Sequence, residues 1–287
     1  MLSLNKKFII HQIFFVILGL IIAILPYEKD NIAILGSMNK LFLVSLILIS
    51  TIGIGHGALD GKIIWNNLKN IKSKFYAYFL YLIIVLLAIL LWLISPVFSI
   101  LLLIIMSIVH FGDSDLKGFE FKNIEKLSWG FMMSTIPLIL NSESTNEIIL
   151  MLIGFEIDQT IILIFSIFFL FSLIIVSVNI IKNQYYPLGL CLIILILLGN
   201  LIHPFLWFGY YFSFYHGLKA LINNQFSIKK DIPWIILFSF PVIILWVLIN
   251  HHMGIIMIEI IFPTLFALTV AHMQIHKILK LVTKKVV

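Results

Sequence analysis

Long apolar runs alternate along this chain with short polar joints. Stretches such as Tyr76–Ser95 and Ile161–Ile181 stay hydrophobic long enough to cross a bilayer, which takes about 20 residues in a helix. Backbone groups in hydrocarbon find no water, so such runs must be helices or strands of a closed barrel. Barrel strands alternate polar and apolar with period two. These runs do not alternate, so the pattern predicts an all-α, polytopic transmembrane bundle formed by residues 1–287 as a single integral membrane domain. Ten spans are expected, at 8–26, 41–59, 75–95, 97–112, 127–140, 161–181, 187–202, 204–223, 233–250 and 254–276. Eight spans also keep both termini on one face. Segment 148–155 reads as re-entrant or interfacial. The first run reads as a span rather than a signal peptide, because Pro26-Tyr27-Glu28 offers no small-residue cleavage site.

Composition sharpens this picture. The chain has 287 residues, 62% hydrophobic and 11% charged, against about 25% charged in soluble domains. All 19 basic residues are lysine. With ten spans, only Lys29 and Lys40 face away from the N-terminal side, while loop 141–160 carries Glu143, Glu147, Glu156 and Asp158 and no lysine. That asymmetry places both termini in the cytoplasm, in a multi-pass protein of the cell's inner (plasma) membrane. The net charge of +6 therefore reports topology rather than nucleic-acid binding, for which arginine is the usual phosphate reader. The lone Cys191 excludes an intramolecular disulfide framework.

Polar groups inside a bilayer are costly and mark function. Of nine histidines, His56, His110, His216 and His272 fall near the ends of spans two, four, eight and ten. All four of those spans run from outside to inside. The four imidazoles therefore sit at similar depth near the cytoplasmic face and can converge on one metal ion; taken singly, each is equally well a hydrogen-bonded packing residue. His203 lies too far from His216 and reads as a cap of its span. His276 follows His272 by one helical turn, as ligand, supporting partner or interfacial residue. Asp60 lies four residues after His56 on one face, and Asp113 follows His110 within a turn. Such carboxylates hold ligating imidazoles by their other nitrogen, or simply cap helix ends, the reading that also fits Asp115.

Imidazole suits Zn, Cu, Fe and Ni, and an all-nitrogen site with open positions suits ferrous iron and O2. Eight of the eleven residues 205–215 are aromatic. They are core or belt residues, or they line a tunnel for a flat apolar substrate, with Trp207, Phe208, Tyr211, Phe212 and Tyr215 as lining. Other readings are a transporter or proton relay built on these His and Asp residues, a diiron or haem protein, and a non-catalytic carotenoid-binding module. The clustering of candidates near one face argues against a relay, which needs a polar path to both faces.

Gly55-His56-Gly57-Ala58-Leu59-Asp60, His110-Phe111-Gly112-Asp113-Ser114-Asp115, the run ending Phe214-Tyr215-His216, and Ala271-His272-Met273 resemble the Brp/Blh (bacteriorhodopsin-related-protein-like) family. The resemblance runs from about span two to span ten. It implies a membrane dioxygenase that uses Fe(II) and O2 to split β-carotene at its central 15,15′ double bond into two all-trans-retinal. It also implies His56, His110 and His216 as iron ligands and a functional link to a retinal-binding rhodopsin in the same membrane lipid. The family can carry a further histidine where this chain has Ala220, so His272 becomes the expected fourth ligand, with Asp60, Asp113 and His276 supporting.

Overall fold

The computed structural model describes residues 2–25, 40–253 and 257–284. Every regular element among them is helical. In chain order these are α1 (Leu2–Ile24), α2 (Lys40–Leu48), a first π-helical segment (Ile49–Gly53), α3 (Gly55–Ala58), α4 (Asp60–Asn67), α5 (Ile71–Ile94), α6 (Pro96–Asp115), α7 (Asn123–Leu140), α8 (Ser142–Ile153), α9 (Gln159–Lys182), α10 (Tyr186–Leu201), α11 (Pro204–Tyr210), a second π-helical segment (Tyr211–Gly217), α12 (Leu218–Asn223), α13 (Ile228–Met253), α14 (Met257–Met273) and α15 (Ile275–Lys284).

Residues 6–24, 71–94, 96–115 and 159–182 are single helices long and apolar enough to span a bilayer, yet only 17–28% of their most apolar windows is buried. Their outward faces carry side chains such as Phe79, Leu82, Phe168, Leu170 and Phe171. A protein that turns this much apolar surface outward has lipid as its solvent. The chain is thus a polytopic membrane helical bundle.

Of the other expected spans, 233–250 lies within the single helix α13, and the rest are shorter or broken. The run at 127–140 continues through a 102° bend into α8, and 258–273 continues through a 44° bend into α15. The expected spans 41–59 and 204–223 are each interrupted by a π-helical segment, and 187–202 forms a helix of 16 residues. By length and composition the described residues give four to six full spans, because π turns and bends divide apolar runs that look continuous in sequence. Residues 26–39 and 254–256 lie outside the described part.

Local chemistry explains the breaks. Pro96 and Pro204 open α6 and α11, where a missing N–H costs nothing. His203 caps α11 by accepting from the Phe205 N–H at 3.2 Å, the role its sequence position suggests. At the α7–α8 bend, Asn141 donates to the Ile202 carbonyl at 3.2 Å. The Asp158 carboxylate caps α9 from the water side, and its hydrogen bonds to Thr160 hold it below the usual carboxylate range.

The chain divides into two compact units. The first contains residues 1–53 and 107–225, the second residues 54–106 and 226–287. In the first, α7 packs on α9, α1 on α10, α11 on α2, and the two π-helical segments on each other. The π contact is intimate. A Cβ on Gly53 would lie 2.4 Å from the Phe212 ring, and one on Gly217 would lie 2.8 Å from the Ile52 carbonyl oxygen. In the second unit, α5 packs on α14 and α15, and α13 on α3, α4 and α14. The inner stripe of α15 (Ile275, Ile278 and Val282) joins Ile64, Leu68 and Ala77 in one apolar cluster.

Candidate functional site

In the first unit the site is assembled by α6, α7 and the second π segment. The helix pair α6–α7 is held at backbone contact by two glycines. A Cβ on Gly130 would sit 1.8 Å from the Ile108 carbonyl oxygen, and one on Gly112 would sit 2.2 Å from that of Lys126. This approach brings the fully buried Trp129 of α7 against the end of α6, where its indole N–H donates to Asp115 Oδ2 at 3.1 Å. From the π segment, the Tyr211 hydroxyl donates to the same oxygen at 2.7 Å, and His216 Nδ1 lies 2.7 Å from Asp115 Oδ1. Asp115, Tyr211 and His216 are all fully buried. A buried carboxylate is tolerated only when its charge is met; three converging donors meet it here.

The aromatic run stacks at four-residue spacing, in two rows. Trp207, Tyr211 and Tyr215 form one, with ring centroids 5.3 and 6.2 Å apart. Phe208, Phe212 and His216 form the other, at 5.1 and 5.6 Å with neighbouring planes only 12° apart. The first row belongs to the unit's packed interior. Trp207 donates to the Leu195 carbonyl, and Tyr215 meets Trp129, Phe15 and His11. Only the second row includes a partly accessible ring, Phe208. Of the five residues expected to line a substrate path, Trp207, Tyr211, Phe212 and Tyr215 are buried and Phe208 is half-buried. Their short spacing and large rings let them fill the bundle interior.

His110, half-buried on α6, lies with its ring 5.0 Å from that of His216 at 66°. Asp113 does not join them. Its carboxylate is 65% exposed and pairs with Lys126 at 3.1 Å, so the residue holding a histidine on this helix is Asp115. Two positions decide this, because 100° per residue turns Asp113 to the outer face of α6.

The second unit repeats the same motif from different elements. His272, on the last turn of α14, lies with Nδ1 2.9 Å from both oxygens of Asp60, the first residue of α4. The Tyr81 hydroxyl of α5 donates to Asp60 Oδ2 at 3.1 Å. The neighbouring Tyr78 hydroxyl donates to the Gly61 carbonyl. Asp60 was expected to serve His56; among the described side chains its histidine partner is His272. The His56 backbone lies in α3, and its side chain falls outside the described part. His276 is exposed, because the helix breaks at Gln274 and α15 leaves at 44°; one-turn spacing in sequence does not carry across that break.

A carboxylate can only accept, so Nδ1 carries a proton in both His216 and His272. An Nδ1–H held by a carboxylate behind the ring is the arrangement by which imidazoles are prepared to bind metal. Among the described residues, no three His, Cys, Asp or Glu side chains close on a point that would hold an ion. Sequence reasoning missed Asp115, Trp129 and Tyr81 as participants. Only the five-residue step from His110 to Asp115 hinted at the first, and nothing in the sequence marks the other two.

Fold and site together define a polytopic membrane protein with carboxylate-anchored histidines. Residues 47–280, which hold all of these groups, match the beta-carotene 15,15′-dioxygenase (BCD) family, and the chain belongs to that family. Among curated proteins, the beta-carotene 15,15′-dioxygenase of an uncultured marine bacterium (66A03) is 30% identical over 186 residues, covering 61% of this chain. The match covers 66% of that relative, just under two thirds of its length. No solved structure matches the chain.

Proposed function

We propose that this protein is a non-haem Fe(II) dioxygenase of the plasma membrane that cleaves β-carotene at its central double bond to give two molecules of all-trans-retinal. Family membership supports the reaction class, and the His216 imidazole, held by Asp115 and lying beside His110, carries the case for a metal. The donor set fits. Imidazole is a ligand type that suits iron, and the rings of His110 and His216 lie together, with centroids 5.0 Å apart. His56, His110, His216 and His272 are the proposed ligands, with Asp60 and Asp115 behind them.

A ferrous ion bound there would supply the one-electron chemistry that ground-state O2 needs to react with a closed-shell alkene. The rest falls to the chain. The carbon–carbon double bond is broken and each carbon takes one oxygen atom, so no outside reductant, general acid or general base is required. Asp115 and Asp60 keep protons on Nδ1 and so keep Nε2 available as donor. Burial of His216 among Phe111, Tyr211 and Phe212 keeps water away from that imidazole. β-Carotene has no polar group, so its position is set by apolar and aromatic surface, with Phe208 and Phe212 the proposed contacts. Retinal released into the same lipid is available to a rhodopsin.

The test is expression in cells that make β-carotene, with extraction of pigments beside a His216→Ala variant. Bleaching with retinal formed in about twofold molar yield, and lost in the variant, supports the proposal. Unchanged β-carotene with folded protein in the membrane sinks it.

A further inference from the structure

Both carboxylates accept a phenolic hydroxyl as well as an imidazole. Tyr211–Asp115–His216 and Tyr81–Asp60–His272 are the same three-group relay, built in separate units from unrelated elements: a π segment and α6 in one, α5, α4 and α14 in the other. A carboxylate bonded only by its histidine is free to rock about its Cβ–Cγ bond and pulls hard on the Nδ1 proton. A second donor on the far oxygen removes that rotation and draws off part of the negative charge. Building on the iron reading above, we infer that Tyr211 and Tyr81 are positioning residues that set the orientation and donor strength of His216 and His272 through Asp115 and Asp60.

The two relays differ in degree. Asp115 Oδ2 takes Trp129 in addition to Tyr211, and its histidine is fully buried. Asp60 shares both oxygens with His272, whose side chain keeps 24% of its surface open. His216 is therefore the fixed, weaker donor, and His272 the stronger one with room to adjust. Trp129 still holds Asp115 once the Tyr211 hydroxyl is gone, so that loss acts mainly on donor strength, whereas loss of the Tyr81 hydroxyl from Asp60 acts on position as well.

The experiment uses the full-length protein in detergent with Tyr211→Phe and Tyr81→Phe, which keep the rings. Tyr210→Phe and Tyr78→Phe serve as controls; their hydroxyls bond backbone carbonyls of Phe15 and Gly61 and touch no carboxylate. The first readout is the Nδ1–H proton resonance of the metal-free, ¹⁵N-histidine-labelled protein. The second is the affinity for Co(II), followed by its visible absorption. Tyr211→Phe is expected to shift the His216 resonance and Tyr81→Phe that of His272. Each should weaken Co(II) binding by about three- to tenfold, below the 10–100-fold typical when a ligand's outer partner itself is lost. The controls should shift neither resonance. Unmoved imidazole resonances in Tyr211→Phe and Tyr81→Phe, or equal shifts in the controls, would overturn the inference. Wild-type protein that takes up no Co(II) would remove the metal reading instead, and the resonances alone would then decide whether the hydroxyls act on the imidazoles.

Discussion

Asp115→Asn offers the sharpest perturbation of the first unit, because it changes charge and hydrogen-bond polarity and almost nothing in volume. The amide oxygen can still accept from Tyr211 and Trp129, which now lie 2.7 and 3.1 Å from Oδ2. Its NH2 then faces His216 Nδ1 at the 2.7 Å now occupied by Oδ1, and two donors cannot share that gap. The imidazole resolves the clash by moving its proton to Nε2 and accepting at Nδ1. Three hydrogen bonds to a charged acceptor, about 1.5–3 kcal/mol each, become neutral ones of about 0.5–1.5 kcal/mol; relief of the buried charge's desolvation offsets most of that, so the fold should lose less than about 3 kcal/mol. Function should suffer far more, since Nε2–H has no lone pair for a metal. A 10–100-fold loss of affinity corresponds to about 1.4–2.8 kcal/mol, and retinal yield should fall at least as far. Asp115→Ala behaves differently: it strands three buried donors at about 1–3 kcal/mol each, a large part of a typical total stability of 5–15 kcal/mol. Size-exclusion profiles and thermal unfolding report the fold, Co(II) titration the site, and pigment extraction the activity. An Asn variant that binds metal and forms retinal like the wild type would refute the tautomer argument. An Ala variant as stable as the wild type would refute the account of Asp115 as the acceptor that holds this core together.

Four further outcomes are expected. Gly130→Ala drives a methyl into the Ile108 carbonyl, 1.8 Å away; α6 and α7 must separate at a cost of at least the ~1–3 kcal/mol of overpacking, seen as a lower unfolding temperature together with lost activity. Asp113→Asn and His276→Ala alter exposed side chains and should change stability by no more than about 0.5 kcal/mol and leave pigment cleavage within twofold, whereas His272→Ala abolishes it. Lys62→Met leaves Asp231, paired with Lys62 and bonded by the Ser227 N–H, without its cation; the loss in chemical denaturation should be about 1–3 kcal/mol, less than for a fully buried pair because 28% of the Lys62 side chain faces water. Leu170→Asp, on the outer face at the middle of α9, should lower membrane insertion by about 2.5–3.5 kcal/mol, read as loss of membrane-fraction protein; unchanged insertion would mean that this face does not meet lipid.

Helix content and the membrane class were legible because one quantity, the length of apolar runs, decides both. The breaks were less legible. Nothing in Phe212-Ser213-Phe214 announces a π turn, since its cause is tertiary: Gly53 and Gly217 let two segments touch, and the extra residue per turn is stabilised by that contact. The histidines were found because polar residues stand out against hydrocarbon, whereas their partners were assigned by nearness in sequence, and there the reasoning met its limit. Asp60 takes His272, 212 residues away in sequence; Asp113 is nearer to His110 in sequence than Asp115, yet faces out. A carboxylate's partner inside a bundle is chosen by which helices cross there, and crossing points are fixed by small residues such as Gly112 and Gly130, far more than by chain order. The same logic explains why Tyr211 and Tyr81 were invisible as hydrogen-bond donors. In sequence each is one more aromatic residue on an apolar helix, and only the buried carboxylate that the crossing delivers gives its hydroxyl a reason to be there.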